Sequence, residues 1–359
     1  MKPVPCLLLI CTLPAWAGEY SPRVDLEAGR YLKALADADA QIRRQPGNAL
    51  AWAAKSQALT ALVRLPEAMD AANRALALKP ALADALLARG MARGGLAIQQ
   101  RNLGSLRQIS DAMDDLKAAT EADPSLVPAW MSLGLAYEEM PGFLGGSTRR
   151  ALACAQSLRK VDAPRGEVLQ GTVLALEGRW EEAQPCFGRA LALAPRDPEV
   201  IYGYLDALGS RETRKAIGVE PQRKLQAQEA LRLLPAAQDK ARPITAICDS
   251  LLDANQGEEA WHICKEALPR TDAPSLLRLQ LGKIAARSGL HREEGLAALD
   301  QVLREPLEGG SGGYGTAHWR RGQVLRDLGR KEEAKAAARA ALGIDPKDPK
   351  AKRLLESLR

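Results

Sequence analysis

The stretch LALEGRWEEAQPCFGRALALAP, residues 174–195, has the pattern of a helix end, a turn and a second helix. Gly178 marks the turn, because a residue without a Cβ accepts the left-handed backbone that ends many helices. After it, apolar side chains recur at helical spacing as far as Pro195, and proline cannot continue a helix. The stretch therefore predicts two helices joined by a short turn, of which the second is amphipathic.

The same arrangement of helix, turn and helix recurs along the chain at intervals of about 34 residues. In each copy, small side chains recur where two antiparallel helices must approach closely, as at Gly171 and Ala183. Large side chains such as Trp130 and Phe187 fill the space between these crossing points. Eight units follow from this pattern, over residues 49–82, 83–126, 127–163, 164–197, 198–237, 241–274, 275–306 and 315–348.

The repeated unit resembles the tetratricopeptide repeat, a helix-turn-helix motif of about 34 residues. Two further segments, PGFLGGS at residues 141–147 and AHWRRG at residues 317–322, are similar to a group of exported bacterial tetratricopeptide proteins. The resemblance implies an all-α fold, a right-handed superhelical α-solenoid of about eight repeats with capping helices. It also implies that the protein binds a protein or peptide partner along its concave face.

We expect one continuous solenoid between two polar caps, because end repeats otherwise expose an apolar face. The predicted parts are a signal peptide at 1–17, an N-terminal capping helix at 18–48, the repeat solenoid at 49–348 and a C-terminal capping helix at 349–359. Inserted loops are expected near residues 94–110, 141–146, 209–220 and 307–315. If the solenoid is interrupted, we expect the interruption within residues 209–224.

The first seventeen residues have the features of a secretory signal peptide. Lys2 supplies the basic start, residues 4–14 form an apolar core, and Ala15-Trp16-Ala17 matches the small-x-small pattern that signal peptidase cuts. The alternative is a buried N-terminal helix, which prolines at positions 3, 5 and 14 disfavour. We therefore predict cleavage after Ala17 and a periplasmic or secreted mature protein.

Charge and hydropathy narrow the class of partner. No stretch approaches the length of apolar sequence that spans a bilayer, about 18 residues, so no transmembrane segment is predicted. The net charge of +6 comes from the end of the chain, since residues 310–359 hold 12 Lys and Arg against 6 Asp and Glu. This basic end is either a solvated helix face or a surface for acidic partners. Nucleic acid is disfavoured as a partner because no basic motif with interleaved aromatic residues is present.

A glycine-rich segment matches two catalytic or cofactor motifs by composition. Residues 310–315 match the dinucleotide motif GxGxxG, and residues 309–313 match the hydrolase motif GxSxG. Both motifs require a β-strand directly before the loop, whereas the pattern here predicts a helix. His262, His291 and His318 have no metal-ligand spacing with one another or with cysteine. We therefore predict no catalytic residues, no cofactor, no metal and no enzymatic activity.

Four cysteines remain after the predicted cleavage. Cys154 and Cys186 occupy equivalent positions of consecutive second helices, roughly 9–10 Å apart and beyond the reach of a disulfide. Cys248 and Cys264 lie nearly opposite each other on the two antiparallel helices of one unit. They are either a disulfide, which an oxidising compartment would allow, or two small core residues.

The concave face of such a solenoid is formed by the first helices of its units. Counting helical positions places eight candidate partner-binding residues there: Met131, Leu135, Glu138, Tyr202, Asp206, Trp319, Gln323 and Arg326. We expect the Trp319 indole to point inward with Arg326 nearby, because aromatic and arginine side chains are typical of interface hot spots. The alternative is a tryptophan packed against the glycine-rich loop.

Two functions of different classes remain open. The first is a scaffold that binds a protein or peptide partner in its concave groove without catalysis. The alternative is a periplasmic small-ligand-binding accessory protein of a solute-uptake system, with the loops at 141–146 and 309–315 as a lid. A long enclosed apolar channel would favour the second function, and an open groove would favour the first.

Overall fold

The computed structural model describes residues 23–27, 29–100, 104–305, 307 and 313–358. The predicted signal peptide at 1–17 lies outside the described residues, as does most of the glycine-rich segment with its GxGxxG and GxSxG matches. Within the described part, the chain forms twenty α-helices, one short 3-10 helix and no strand. The predicted fold class, an all-α solenoid of helix-turn-helix repeats, is confirmed.

The helices are arranged as eight successive pairs with additional helices before, within and after them. Before the pairs come α1 (Arg23–Glu27) and α2 (Tyr31–Arg44). The first helices of the eight units are α3 (Ala49–Ala61), α5 (Ala83–Gln100), α7 (Val127–Glu139), α9 (Ala163–Leu176), α11 (Pro198–Leu208), α14 (Ala241–Asp253), α16 (Pro274–Ser288) and α18 (Gly313–Asp327). The second helices are α4 (Leu65–Leu78), α6 (Gly104–Ala122), α8 (Thr148–Val161), α10 (Trp180–Leu193), α13 (Val219–Ala237), α15 (Gly257–Ala267), α17 (Arg292–Val302) and α19 (Lys331–Ile344). The remaining two are α12 (Arg211–Ile217), inside the fifth unit, and α20 (Pro349–Ser357), after the eighth.

In several units, the turn between the two helices uses a residue with a left-handed backbone. Gly178 and Gly329 take this conformation with φ angles of 75° and 77°. Val63 and Asn255 occupy the corresponding turns of the first and sixth units, with φ angles of 60° and 61°. Asparagine tolerates this region, whereas a β-branched residue is strained in it. The geometry of the turn is therefore kept even where the sequence has no glycine.

The two helices of a unit cross where the sequence places small side chains. A Cβ added to Gly282 of α16 would lie 2.2 Å from the Leu299 Cγ of α17. A Cβ added to Gly171 of α9 would lie 2.8 Å from the Phe187 Cζ of α10. Both distances are too short for any real contact. Glycine at these positions thus permits the close approach on which each pair depends.

Buried apolar residues form three clusters along the solenoid. The first joins α2 to the first unit and reaches α5, the second extends from the first unit to α9, and the third continues from α9 to α20. Met131 of α7 packs against both the second and the third cluster. No described helix is sufficiently long and apolar to span a membrane.

Two of the expected inserted loops are helical instead. In the second unit, α5 extends to Gln100 and α6 begins at Gly104, so the described parts of 94–110 lengthen both helices. Helical packing continues there, since Ala97 is buried. In the fifth unit, residues 211–217 of the expected loop at 209–220 form α12, which begins where Ser210 Oγ accepts a hydrogen bond from the Thr213 N–H at 3.0 Å.

The other expected segments also differ in detail from the expectation. The loop at 141–146 contains the 3-10 helix Gly142–Leu144. Residues 308–312 of the loop expected at 307–315 lie outside the described residues, and α18 already begins at Gly313. The described part of the N-terminal cap, expected as one helix within 18–48, consists of α1 and α2. The described part of 349–359 contains α20.

The fifth unit has polar side chains in its interior. Thr213, Gln222 and Gln226 are each at most 1% exposed. The Gln222 amide donates to the carbonyl oxygens of Leu208 and Ser210 at 2.7 Å and 2.9 Å. Hydrogen bonds of this kind satisfy buried polar groups that would otherwise destabilise the fold. Since α11 still packs on α14, the solenoid continues through residues 209–224.

The N-terminal helix α1 is tied to the second unit by ion pairs. The Arg23 guanidinium lies 3.1 Å from the carboxylate of Asp84, at the start of α5, and 3.5 Å from that of Asp123, just after α6. Val24 and Gly29 line a cleft together with residues at the beginnings of α11, α14 and α16. The N-terminal segment thus lies across the beginnings of first helices that are distant in sequence.

We predict that replacing Gly282 by alanine destabilises the protein by about 1–3 kcal/mol, because the added methyl group collides with Leu299. Gly188, in the exposed middle of α10, is the matched control, since an added Cβ there meets nothing within 4 Å. Gly188→Ala should stabilise by about 0.5–1 kcal/mol through helix propensity. Thermal unfolding followed by circular dichroism measures both changes. A Gly282→Ala protein as stable as the parent would contradict the crossing geometry.

Candidate functional site

The first helices of successive units lie side by side and form the inner face of the solenoid, which we call the groove. Contacts between α7 and α9, α11 and α14, α14 and α16, and α16 and α18 make this surface continuous over the second half of the chain. The eight residues predicted to bind a partner all lie on first helices, namely α7, α11 and α18. They fall into three places, one in the third unit, one in the fifth and one in the eighth.

Ion pairs connect the first helices of neighbouring units along the groove. Each of them joins a cation on one first helix to a carboxylate on, or immediately before, the adjacent first helix. The four pairs and their nitrogen–oxygen distances are Arg165–Asp197 (3.1 Å), Arg242–Glu199 (3.0 Å), Lys283–Asp249 (2.7 Å) and Arg287–Asp253 (2.7 Å). Most of the positive charge in this part of the groove is therefore already neutralised by the fold.

Tyr202 and Asp206 lie one helical turn apart on α11, and both face the sixth unit. The Arg242 guanidinium of α14 stacks on the Tyr202 ring, 4.5 Å from its centroid. Asp206 is accessible to solvent, yet the surrounding protein limits its hydration. This burial, and then the negative charge of Asp249, raises the pKa of Asp206. The structure thus groups the two predicted residues, but Tyr202 is already engaged by a neighbouring unit.

Trp319 lies in the groove on α18 and is half-buried between cations. The Arg320 guanidinium lies 4.0 Å from the Trp319 ring centroid, and the Lys350 ammonium of α20 lies 5.0 Å from it. Gln323, one turn further along α18, accepts a hydrogen bond from Arg320 Nη1 at 3.0 Å. Two of the predicted residues therefore belong to one cluster, which we call the Trp319 cluster: Trp319, Arg320, Gln323 and Lys350.

Arg326 does not supply the arginine beside Trp319 that the sequence analysis expected. Its side chain is exposed, and its Nε donates to the adjacent Asp327 Oδ1 at 2.8 Å. Arg320 takes that place instead, because it is the guanidinium of Arg320 that stacks on the indole. Arg320 was missed because it directly follows the residue chosen as the anchor. Its spacing of three residues from Gln323 is the signal that places both on one helix face.

Arg320 is enclosed by protein without a carboxylate partner among the described residues. Its Nε is buried and has no hydrogen-bond acceptor within the described part of the chain. Burial, and then the positive charge of Arg287, lowers the pKa of Arg320 to about 10, whereas Asp249 acts in the opposite direction. A guanidinium in this position favours an incoming anion.

Met131 and Leu135 of α7 are half-buried and pack against the apolar core. Met131 contacts two core clusters at once, so its side chain contributes to packing between units. The nearby loop instead exposes an aromatic side chain, since Phe143 is 80% exposed. Both predicted apolar residues of α7 therefore take part in packing between helices.

Glu138, near the end of α7, faces a second carboxyl group. Its Oε2 is buried without a hydrogen-bond partner in the described part of the chain. Burial, and then the neighbouring Glu177 carboxyl group, raises the pKa of Glu138 to about 7. The Glu138 carboxyl group therefore keeps its proton to a higher pH than an ordinary glutamate does.

The cysteines of the sixth unit are free thiols in this structure. Cys248 Sγ donates to the Ala260 carbonyl at 3.4 Å, and Cys264 Sγ donates to the Leu277 carbonyl at 3.4 Å. Both side chains are fully buried, and the Cys264 thiol, together with burial, raises the pKa of Cys248. A disulfide between Cys248 and Cys264 remains a prediction for an oxidising compartment.

The histidines form ordinary packing and polar contacts. His291 lies 2.9 Å from a Glu258 carboxylate oxygen and 3.1 Å from one of Glu294, and it stacks on Trp261 at 4.4 Å between ring centroids. Among the residues that the structure describes, no three His, Cys, Asp or Glu side chains are placed to hold a metal ion.

Two segments of the chain match the family model described as tetratricopeptide repeat, residues 23–83 and 279–349. The second segment includes α18, α19 and Pro349 at the start of α20, so Trp319, Arg320 and Gln323 lie within the matched residues and Lys350 directly follows them. No curated protein matches the chain.

Solved structures give further comparisons. A thermophilic TPR protein of Thermus thermophilus is similar with 22% identity and a TM-score of 0.43, over 52% of this chain and 99% of that one. The APC/C hetero-tetramer Cut9–Hcn1 is similar with 15% identity and a TM-score of 0.45, over 94% of this chain and 54% of that one. MamA is similar with 17% identity and a TM-score of 0.33, over 48% of this chain and 94% of that one.

We predict that Glu138→Gln makes the stability of the protein less dependent on pH. A carboxyl group whose pKa is raised from 4.5 to about 7 binds its proton more tightly in the folded state, so stability falls as pH rises through this window. Glutamine removes that loss and should stabilise the protein at pH 8 by about 1 kcal/mol. This free energy is smaller than the full pKa shift would give, because the carboxyl group is partly hydrated.

Thermal unfolding at pH 5 and pH 8 measures this effect. The exposed Glu181 of α10 is the control, and Glu181→Gln should shift stability equally at both pH values. Equal shifts at both pH values for Glu138→Gln as well would refute the assignment.

Proposed function

We propose that this protein is an exported, non-enzymatic scaffold that binds a protein or peptide partner in its groove. The observation that carries the proposal is the Trp319 cluster, in which a half-buried indole and two cations lie on the inner face. Tryptophan and arginine side chains in such places supply much of the binding energy of protein interfaces. The fold supports the proposal, because stacked helical repeats form the extended concave surfaces on which such proteins bind partners.

The ion pairs of the groove are consistent with a long, shaped binding surface. They join neighbouring first helices and hold them at fixed spacing, so the shape of the groove is largely set before a partner arrives. A preformed surface binds with a smaller loss of conformational entropy than a flexible one. The sequence contains no pattern that predicts a catalytic nucleophile or an acid–base pair, and tetratricopeptide proteins generally act as scaffolds. The small-ligand alternative receives no support from the fold or the comparisons.

The proposal of export is based on the sequence of residues 1–17, with its basic start, apolar core and Ala15-Trp16-Ala17.

We predict that protein expressed with its full N-terminal sequence in a Gram-negative host is recovered from the periplasm and begins at Gly18. Cell fractionation and N-terminal sequencing measure both properties, and deletion of residues 2–17 is the control that should keep the protein in the cytoplasm. Cytoplasmic protein that begins at Met1 would contradict the export proposal.

A photo-cross-linking experiment tests binding in the groove. A benzophenone amino acid at Gln323 should capture a partner protein from native periplasm, whereas the same group at Arg339, exposed on the second helix α19, should not. Trp319→Ala combined with the Gln323 probe should reduce the cross-linked product at least tenfold, because the indole supplies contact area. The same product at both probe positions, or none at Gln323, would contradict the proposed binding surface.

A further inference from the structure

The N-terminal segment, α1 together with residues 29–31, borders two parts of the solenoid that are far apart along the chain. On one side, Arg23 Nε and Nη2 donate to the Asp84 carboxylate of the second unit at 3.3 Å and 3.1 Å, and Leu26 packs against the core of the first unit. On the other side, Val24 lines a cleft of about 290 Å³ with the beginnings of α11, α14 and α16. The segment therefore connects the first two units with the fifth to seventh units.

Arg242, at the start of α14, links this segment to the groove. It lines the same cleft, and its guanidinium stacks on the Tyr202 ring. Burial lowers the pKa of Arg242, but the acidic groups of Glu199 and then of Tyr31 raise it above its ordinary value. Tyr31, at the start of α2, is therefore close to this guanidinium. The N-terminal segment thus reaches the part of the groove around Tyr202.

The other end of the chain makes a second contact between distant units. Lys347, just before α20, donates from Nζ to the Gln100 carbonyl at the end of α5, at 3.4 Å. The end of the eighth unit therefore lies beside the second unit. Because contacts near both ends of the chain join distant units, the solenoid is a closed arc and not an open ribbon.

The contacts that close the arc differ in kind from those that join neighbouring units. Neighbouring units share clusters of buried apolar side chains, whereas no cluster among the described residues contains members of both α1 and α11–α16. Val24 is 61% exposed although it borders the cleft, and the Arg23 side chain is 44% exposed. Exposed ion pairs contribute little stability, and an unfilled cleft contributes few dispersion contacts. The arc can thus open at this point while every unit stays folded.

We infer that the N-terminal segment is a latch, which holds the solenoid in a closed arc and limits access to the groove around Tyr202 until it is released. Release occurs where Arg23 leaves Asp84 and Asp123, because these ion pairs fix the direction of α1. A partner that binds the open arc more tightly than the closed one shifts the equilibrium towards the open arc. The limit on access rests on the proposed function, whereas the closure is a property of this chain alone.

The distance across the arc tests the latch without any partner. Spin labels are attached to cysteines introduced at Arg74 of α4 and Glu266 of α15, which are exposed positions of the first and sixth units. The four described native cysteines are buried and thus protected from labelling. Arg23→Glu places a carboxylate against those of Asp84 and Asp123, so the mean distance between the labels, measured by electron–electron double resonance, should increase.

Arg179→Glu is the matched control for this measurement. The Arg179 side chain is 45% exposed and donates through Nε and Nη2 to Glu182 at 2.7 Å and 2.6 Å, as Arg23 does to Asp84. Its ion pair lies within a single unit, so its loss should leave the distance between the labels unchanged. Circular dichroism establishes that each variant is folded, and Arg23→Ala replaces Arg23→Glu if the latter is not.

A benzophenone amino acid at Asp206, one turn from Tyr202, measures access for a partner. Arg23→Glu should raise the yield of cross-linked partner from native periplasm by roughly threefold or more, because a larger fraction of the chains is open. A covalent lock has the opposite effect. Val24→Cys and Leu276→Cys, which both line the cleft, are joined by a bis-maleimide, and the yield should then fall below that of the parent.

The outcomes separate the latch from the proposed function. An unchanged label distance in Arg23→Glu, or an equal increase in Arg179→Glu, would overturn the latch, since α1 would then be only a cap of the first unit. An increased distance with an unchanged yield of cross-linked partner would overturn the limit on access. Failure to capture any partner at Asp206 and at Gln323 would count against the proposed function, and the label distance would still decide whether the latch exists.

Discussion

The close crossing of two helices within each unit is the constraint on which the rest of the structure depends. At Gly282 and Gly171 the facing side chains, Leu299 and Phe187, occupy the space that a Cβ would need. This approach fixes the angle between the first and second helix of the unit. Because every unit repeats the crossing, the first helices face one way and form a continuous inner surface. The groove is thus a consequence of glycine, alanine and other small residues at the crossings inside the units.

Much of the fold follows from these crossing points and from the turns between them. The recurrence of small residues and of turns such as the one at Gly178 was sufficient to predict the helix pairs and the all-α solenoid. The stretch at 94–110 was misjudged because its glycines resemble loop signals, whereas its apolar residues continue the helical period and Ala97 is buried. Helix α12 was not predicted, because its seven residues are too few to show a helical period.

The candidate site was predicted less completely than the fold. Trp319 and Gln323 were placed in the groove by counting helical positions, and both lie in one cluster there. Arg320 was not placed in the groove, because successive residues of a helix point about 100° apart. Its side chain reaches the face of Trp319 only because it is long and flexible. Lys350 comes from another helix, so its position depends on how α20 packs. Side-chain reach and inter-helix packing are tertiary properties, which a linear pattern does not encode.

The polar interior of the fifth unit has a consequence for modularity. Repeats of a solenoid are often treated as exchangeable parts, since stability is approximately a sum of unit and interface contributions. Here Gln222 satisfies carbonyl groups before α12, while the Gln226 amide reaches Asp253 of the next unit at 3.2 Å. A unit copied from elsewhere in the chain would lack these two glutamines. Of the hydrogen bonds described for Asp253, only the one from Arg287 would then remain. The array therefore has a fixed order at this junction, and engineering by deletion or duplication of repeats is best confined to the other junctions.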